Sequence, residues 1–157
     1  MQAFSADLKD FLRLLHKHDV RYVIVGGAAV IHYGYPRFTG DIDFFYERSE
    51  INTCRLYDCL AEFWGGSVPE INDPAEMMEE RVVFQFGRPP YRIDLLNSID
   101  GVDFTTAWQS RVEVRLGDVP VFYIGKGALL ANKRSSGRYK DLDDIEHLSR
   151  SEPSNHE

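Results

Sequence analysis

The stretch VIVGGAAVIHYGYPRFTGDIDFFY, residues 23–46, decides the fold of this chain. A hydrophobic strand runs into Gly26 and Gly27, a short helix follows, and the chain returns in a second strand that starts with Asp41-Ile42-Asp43. Residues two apart in a strand point to the same face, so we expect Asp41 and Asp43 to project together. Two carboxylates that close repel each other unless a cation lies between them. Magnesium binds one or two carboxylates together with substrate phosphates, so the stretch indicates a metal and a nucleotide in one site.

A third acid lies in a later hydrophobic run. Residues 82–86 and 91–96 are strand-like, and the intervening Gly-Arg-Pro-Pro suits the turn of an antiparallel hairpin. In the second run Asp94 shares a face with Arg92 and Leu96, and its hydrophobic neighbours point the other way. If this hairpin lies beside the 41–46 strand, the three acids converge.

Each acid taken alone has a simpler interpretation. It can be a surface residue on the solvated face of a strand, and Asp41 can be a turn residue after Gly40. The combination favours a site, because a glycine pair after a strand, an acid pair at strand spacing and a third acid in a later strand occur together.

These motifs resemble a known superfamily. Gly26-Gly27, thirteen intervening residues and Asp41-Ile42-Asp43, followed by a later Asp94, resemble the nucleotidyltransferases with a palm of the DNA polymerase beta type. The segments 37–43 and 132–145 are similar to the small prokaryotic members, which include minimal nucleotidyltransferases and toxin-type proteins related to abortive-infection systems. The resemblance covers residues 20–148. Many relatives have Gly-Ser at the glycine pair, so a serine hydroxyl that could touch phosphate is missing here.

The resemblance implies a fold, an activity and a set of site residues. The fold is α/β (α+β), with a mixed central sheet flanked by helices. The activity is the transfer of a nucleoside monophosphate from a nucleoside triphosphate to a hydroxyl of an acceptor: a transfer RNA end or other RNA, a protein or a small molecule. A toxin–antitoxin role and a protein partner are further expectations. Asp41, Asp43 and Asp94 are the implied catalytic residues and ligands of Mg2+ or Mn2+.

The remaining site residues are predicted to bind the nucleotide. Gly26 and Gly27 let the backbone approach the phosphates, and Arg37 and Thr39 contact phosphate or brace the loop. A second hypothesis is a non-catalytic nucleotide-binding or antitoxin-like partner protein on the same fold. The intact set of three acids disfavours it.

Basic residues are concentrated near the carboxy terminus. The net charge of -7 argues against a nucleic-acid binder that uses its whole surface. Between Lys126 and Lys140, however, five basic residues occur without one acid. A solvated helix end explains such a run equally well. We predict Lys133 and Arg138 as phosphate contacts and the others as RNA contacts, with the acids Asp141 and Asp144 holding these bases and capping the last helix.

Length and composition agree with one domain over residues 1–150 and a disordered tail at 151–157. No apolar run approaches the roughly 20 residues that cross a membrane. The first 18 residues indicate an amphipathic helix and not a signal peptide, so cytoplasm is the expected location. Cys54 and Cys59 are predicted to be free thiols, and the scattered histidines, His32 included, form no zinc pattern.

Hydrophobic periodicity predicts alternating helices and strands. The predicted helices cover residues 4–18, 28–33, 49–63, 104–108, 126–134 and 139–149. The predicted strands cover residues 21–25, 41–46, 82–86, 91–96, 112–115 and 119–123. Residues 65–80 are predicted to form a turn-rich loop that Met77 and Met78 could anchor.

Overall fold

The computed structural model describes residues 5–35, 39–88 and 91–150 of the 157-residue chain. Arg37 and the expected tail at 151–157 lie outside these residues. The elements follow in the order α1 (Ala6–Lys17), β1 (Tyr22–Val25), α2 (Gly26–His32), β2 (Asp41–Tyr46), α3 (Glu50–Phe63), a 3-10 helix (Pro74–Met78), β3 (Val83–Phe86), β4 (Arg92–Leu96), α4 (Phe104–Gln109), β5 (Val112–Leu116), β6 (Val119–Tyr123), α5 (Lys126–Ser136) and α6 (Tyr139–Arg150).

The six strands form one mixed sheet in the order β3-β4-β2-β1-β6-β5. The pairs β2–β4 and β1–β6 are parallel, and the other pairs are antiparallel. The expected hairpin of β3 and β4 lies directly beside β2, with Asp43 opposite Asp94 and Asp41 opposite Arg92. The mixed sheet flanked by helices confirms the predicted fold class.

Helices α1 and α3 cover the face of the sheet opposite the acids. Phe11 of α1 packs edge-on against Phe44 of β2 and Phe63 of α3, with ring centroids 5.3 Å apart in both pairs. Phe44 points away from the neighbouring Asp43 because side chains alternate along a strand. A serine caps the amino terminus of each helix, Ser5 for α1 and Ser49 for α3, and its side chain accepts a hydrogen bond from a backbone N–H of the first turn. The hydrophobic core therefore lies beneath the acids and leaves their face to other elements.

Several boundaries differ from the predicted ones. Helix α2 begins at Gly26, two residues before the predicted start, because the positive φ of 67° at this glycine turns the chain straight from strand to helix. Residues 65–80 contain the 3-10 helix and are held to the core. Met77 is buried there, its carbonyl accepts hydrogen bonds from Tyr46 and Asn97, and Asn97 also donates to the Glu79 carbonyl.

Cys54 is exposed and Cys59 is buried, and both are free in the part of the chain that the structure describes. Among the same residues, every helix is too short or too polar to cross a bilayer.

Candidate active site

Three carboxylates meet where β2 and β4 run side by side. Asp41 and Asp43 share a face of β2, and the parallel register places Asp94 of β4 directly beside Asp43. One oxygen from each of the three side chains lies within 4.8 Å of the others. The arrangement joins residues from two segments that are about fifty positions apart, as the sequence pattern requires for a shared cation.

Arg92 neutralises part of this acidic cluster, and the sequence analysis did not single it out as a site residue. Its Nε and Nη2 donate to the two oxygens of Asp94 at 2.8 and 3.0 Å, and Nη2 also donates to Asp41 Oδ2. The signal was present, because a residue two positions before Asp94 in a strand shares its face. The two-pronged contact with one carboxylate is the geometry that arginine favours.

The surroundings of Asp43 disfavour the charged form of its carboxyl. Burial, followed by repulsion from Asp41 and Asp94, raises the pKa of its carboxyl from 3.8 to about 7, and Arg92 offsets this only in part. Its Oδ1 is buried and accepts no hydrogen bond from the described residues. A buried acceptor without a partner is costly. A divalent cation would both satisfy that oxygen and relieve the repulsion, so the donor set fits a hard metal ion.

Gly26 lies against this acid. A methyl group at Gly26 would overlap the Oδ2 atom of Asp43, and the backbone φ of 67° is one that other residues adopt only with strain. The glycine thus lets the end of β1 approach the acid pair. This packing role comes in addition to the expected approach of the backbone to phosphate.

A polar cavity of about 560 Å3 opens over the acids. Its walls contain eight of the nine site residues predicted from the sequence, and the ninth, Arg37, lies outside the described residues. The cavity is lined by Gly26, Gly27, Thr39, Gly40, Asp41, Asp43, Arg92, Asp94, Lys133, Arg138 and Lys140. The walls thus combine three acids with four basic residues, a set of charges suited to a phosphate ester bound through a metal ion.

Residues 5–151 match the family described as "Nucleotidyltransferase of unknown function (DUF6036)". The chain belongs to this family. Its fold is similar to the crystal structure of an antigenic nucleotidyltransferase-like protein from Paracoccidioides brasiliensis, with a TM-score of 0.58 and 17% sequence identity over 92% of this chain and 77% of that chain. At that identity the likeness shows the fold alone. No curated protein sequence matches the chain.

Two basic residues of this nucleotidyltransferase-family protein, Lys133 and Arg138, differ in their exposure to solvent and in their ion pairs. Lys133 Nζ lies 3.0 Å from Asp141 Oδ1 and 3.2 Å from Asp144 Oδ2, and its side chain is only 3% exposed. Arg138 also binds Asp141, at 2.7 Å, but its side chain is 62% exposed. Burial alone would raise the pKa of Asp141, but hydrogen bonds from Arg138 and Lys133 outweigh it and hold the pKa below its usual value. Lys133 therefore joins α5 to α6, whereas Arg138 presents charge to the cavity.

A second, apolar cavity of about 660 Å3 lies around the rim of the sheet, where the hydrophobic face of β2 and β4 meets the ends of α1 and α3. Phe63, Trp64 and Phe86 contribute aromatic walls. Arg92 lines both this cavity and the polar one. Arg92 therefore belongs to the walls of both open spaces.

We expect Gly26→Ala to destabilise the protein by about 2 to 4 kcal/mol, because backbone strain adds to the overlap with Asp43. Gly117→Ala is the matched control, since its φ of 66° is nearly identical but nothing lies within 4 Å of the added methyl group. The control should cost only about 1 kcal/mol, the strain alone. Urea unfolding of both variants measures the difference, and equal losses would show that Gly26 has no packing role.

Proposed function

We propose that this protein is a metal-dependent nucleotidyltransferase that moves a nucleoside monophosphate from a nucleoside triphosphate to an acceptor hydroxyl. The observation that carries the proposal is the meeting of Asp41, Asp43 and Asp94 in a polar cavity whose walls also contain four basic residues, Arg92, Lys133, Arg138 and Lys140. The family of the chain supports the same reaction class.

The three acids would hold Mg2+ or Mn2+. The unsatisfied Oδ1 of Asp43 and the mutual repulsion of the acids support this assignment. Bound there, the ions would supply Lewis acidity toward the attacking hydroxyl and charge neutralisation for the departing pyrophosphate. Carboxylates suit this task because they are the hard oxygen ligands that these ions prefer.

The other walls of the cavity would bind the triphosphate. Gly26 and Gly27 line the cavity and would bring their backbone to a phosphate, and Arg138 and Lys140 bring exposed positive charge. Thr39 Oγ1 donates to the Asp41 carbonyl and carboxylate at 3.2 Å, which supports the bracing role for this residue. Arg37 stays a proposed phosphate contact from the family resemblance.

RNA is the acceptor that we propose. Arg134, Arg138, Tyr139 and Lys140 are exposed, with Tyr139 93% exposed, and Arg138 and Lys140 line the cavity. Bases stack on exposed aromatic rings while basic residues contact the backbone phosphates, so this segment suits a single-stranded RNA end. A role in a toxin–antitoxin pair stays a prediction of the resemblance, and a cytoplasmic location stays a prediction from the first 18 residues.

The decisive experiment incubates the protein with each labelled nucleoside triphosphate, magnesium and a total cell lysate. We expect one nucleotide to label RNA with the wild type and with Asp118→Asn, a control in the β5–β6 turn. Asp94→Asn should transfer no label. Labelled protein in place of RNA would contradict the proposed acceptor. Nucleotide binding by calorimetry without labelling of any acceptor would instead favour the non-catalytic binding protein.

A further inference from the structure

We propose that Arg92 competes with the divalent cation for the oxygens of Asp41 and Asp94, so that tight metal binding requires this guanidinium to move toward the nucleotide. The inference rests on the proposed function, since it assumes that the acids bind a metal ion. It adds a residue that controls when the ion binds.

The first argument is position. Nη2 of Arg92 lies 2.5 Å from Asp41 Oδ2 and 3.0 Å from Asp94 Oδ2, so one nitrogen bridges the two carboxylates. A cation coordinated by the same two oxygens would have to displace this nitrogen, because Nη2 is hydrogen-bonded to both. Magnesium also holds its oxygens at about 2.1 Å, so two ligand oxygens of one ion lie within about 4.2 Å of each other. The three acids each present an oxygen within 4.8 Å of the others, close to this spacing.

The second argument is charge. The side chain of Asp94 is 8% exposed and that of Asp41 is 23% exposed, so water screens this region only in part. A doubly charged ion a few ångströms from a guanidinium in such surroundings is strongly repelled. Binding of the ion therefore weakens the ion pairs of Arg92, and the ion pairs of Arg92 weaken binding of the ion.

The third argument is room to move. Arg92 is 28% exposed and lines both the polar cavity and the apolar one at the rim of the sheet. Its side chain can leave Asp41 without crossing packed core. A triphosphate brought to the polar cavity supplies new acceptors for the guanidinium, which favours two-pronged contacts with phosphate as well as with carboxylate. Metal and nucleotide should therefore strengthen each other's binding, a coupling that acts equally in both directions.

An opposite arrangement is also chemically reasonable. Arg92 could stay on Asp94 and orient it for the metal, in which case removal of Arg92 would weaken metal binding. The sign of the change in metal affinity separates the two arrangements.

The test measures Mn2+ binding to the full chain by electron paramagnetic resonance, without nucleotide and then with an unreactive nucleoside triphosphate analogue. We expect Arg92→Gln to bind Mn2+ alone about tenfold more tightly, because it removes charge-assisted hydrogen bonds to two ligands. The factor by which the analogue tightens Mn2+ binding should fall by about tenfold. Arg92→Lys keeps the charge but loses the two-pronged contact of the guanidinium, so its Mn2+ affinity should lie between those of the wild type and Arg92→Gln.

Arg115→Gln is the control, because Arg115 also pairs with an acid two positions away in its own strand, Glu113 of β5 at the other edge of the sheet. It should bind Mn2+ as the wild type does, and Asp94→Asn should lose the ion. Unchanged or weaker Mn2+ affinity in both Arg92 variants, with circular dichroism like that of the wild type, overturns the inference. If the wild type still labels an acceptor, that result leaves the proposed function standing. Failure of every form to bind Mn2+, together with no labelling, overturns both.

Discussion

Asp43→Asn should abolish transfer and, at the same time, stabilise the protein in a chelating buffer. Loss of one metal ligand removes several kcal/mol of transition-state stabilisation, so we expect the rate of labelling to fall by on the order of 10^2 to 10^4. The stability gain has a separate cause. In the wild type, burial and the two neighbouring acids raise the pKa of Asp43 to about 7, so its ionised form opposes folding.

The pH dependence of this gain has a definite sign. Below about pH 4 the carboxyl of Asp43 is protonated in the folded and the unfolded chain, and the variant should have no electrostatic advantage. As the pH rises from about 4 to about 7, the unfolded chain ionises first, and the wild type loses stability relative to the variant. Above pH 7 the full difference is on the order of 4 kcal/mol, since one pKa unit is worth about 1.4 kcal/mol.

Thermal melts of wild type, Asp43→Asn and the control Asp118→Asn at pH 5 and pH 8, all with chelator, measure this effect. The advantage of Asp43→Asn should be about 2 kcal/mol, or a few degrees, at pH 5 and about 4 kcal/mol, on the order of ten degrees, at pH 8. A constant difference between the two pH values would show that the raised pKa of Asp43 has no part in it. A near-normal rate of transfer by Asp43→Asn would show that Asp43 has no role in the mechanism.

Lys133→Ala should destabilise the protein by about 3 to 5 kcal/mol, because it leaves Asp141 and Asp144 buried without the cation that joins them. Arg138→Ala removes a largely exposed side chain and should cost less than about 1 kcal/mol of stability. The order should be reversed for nucleotide binding, with the larger loss of affinity in Arg138→Ala. Arg138→Ala should weaken nucleotide binding by roughly 1.5 to 3 kcal/mol, the scale of a charge-assisted hydrogen bond.

Urea unfolding and calorimetry with a nucleoside triphosphate measure the two effects on the same preparations. A Lys133→Ala protein as stable as the wild type would show that the buried ion pairs contribute little. Normal nucleotide affinity in Arg138→Ala would assign this arginine to the RNA segment or to solvated surface. The salt dependence of RNA binding distinguishes these two, since a lost phosphate contact makes it shallower.

The strand period in the sequence is enough to predict the local geometry of the candidate site. Asp41 and Asp43 share a face of β2, and Arg92 and Asp94 share a face of β4, as alternation along a strand requires. The glycine pair marks the turn out of β1, although the helix starts at Gly26 itself. These features depend only on neighbours in the chain, so they can be read from the residues in order.

The burial of the basic residues between Lys126 and Lys140 could not be predicted in the same way. The sequence places Lys133 and Arg138 close to two acids, but spacing along a chain does not show which of them is buried. The packing of α5 against α6 encloses Lys133 between Asp141 and Asp144 and leaves Arg138 at the surface. Because Lys133 is shielded from water and Arg138 is not, the first holds two helices together and the second keeps a charge available to a ligand.

The sequence by itself determined which side chains share a strand face and where most helices and strands lie, because these properties follow from local periodicity. Only the tertiary structure decided that β4 lies next to β2 with Asp43 opposite Asp94. It also decided that Arg92 bridges to Asp41, 51 positions away in the chain. Contacts at that separation depend on how all the layers pack together, since the burial of the whole core, and no local preference, selects the strand order.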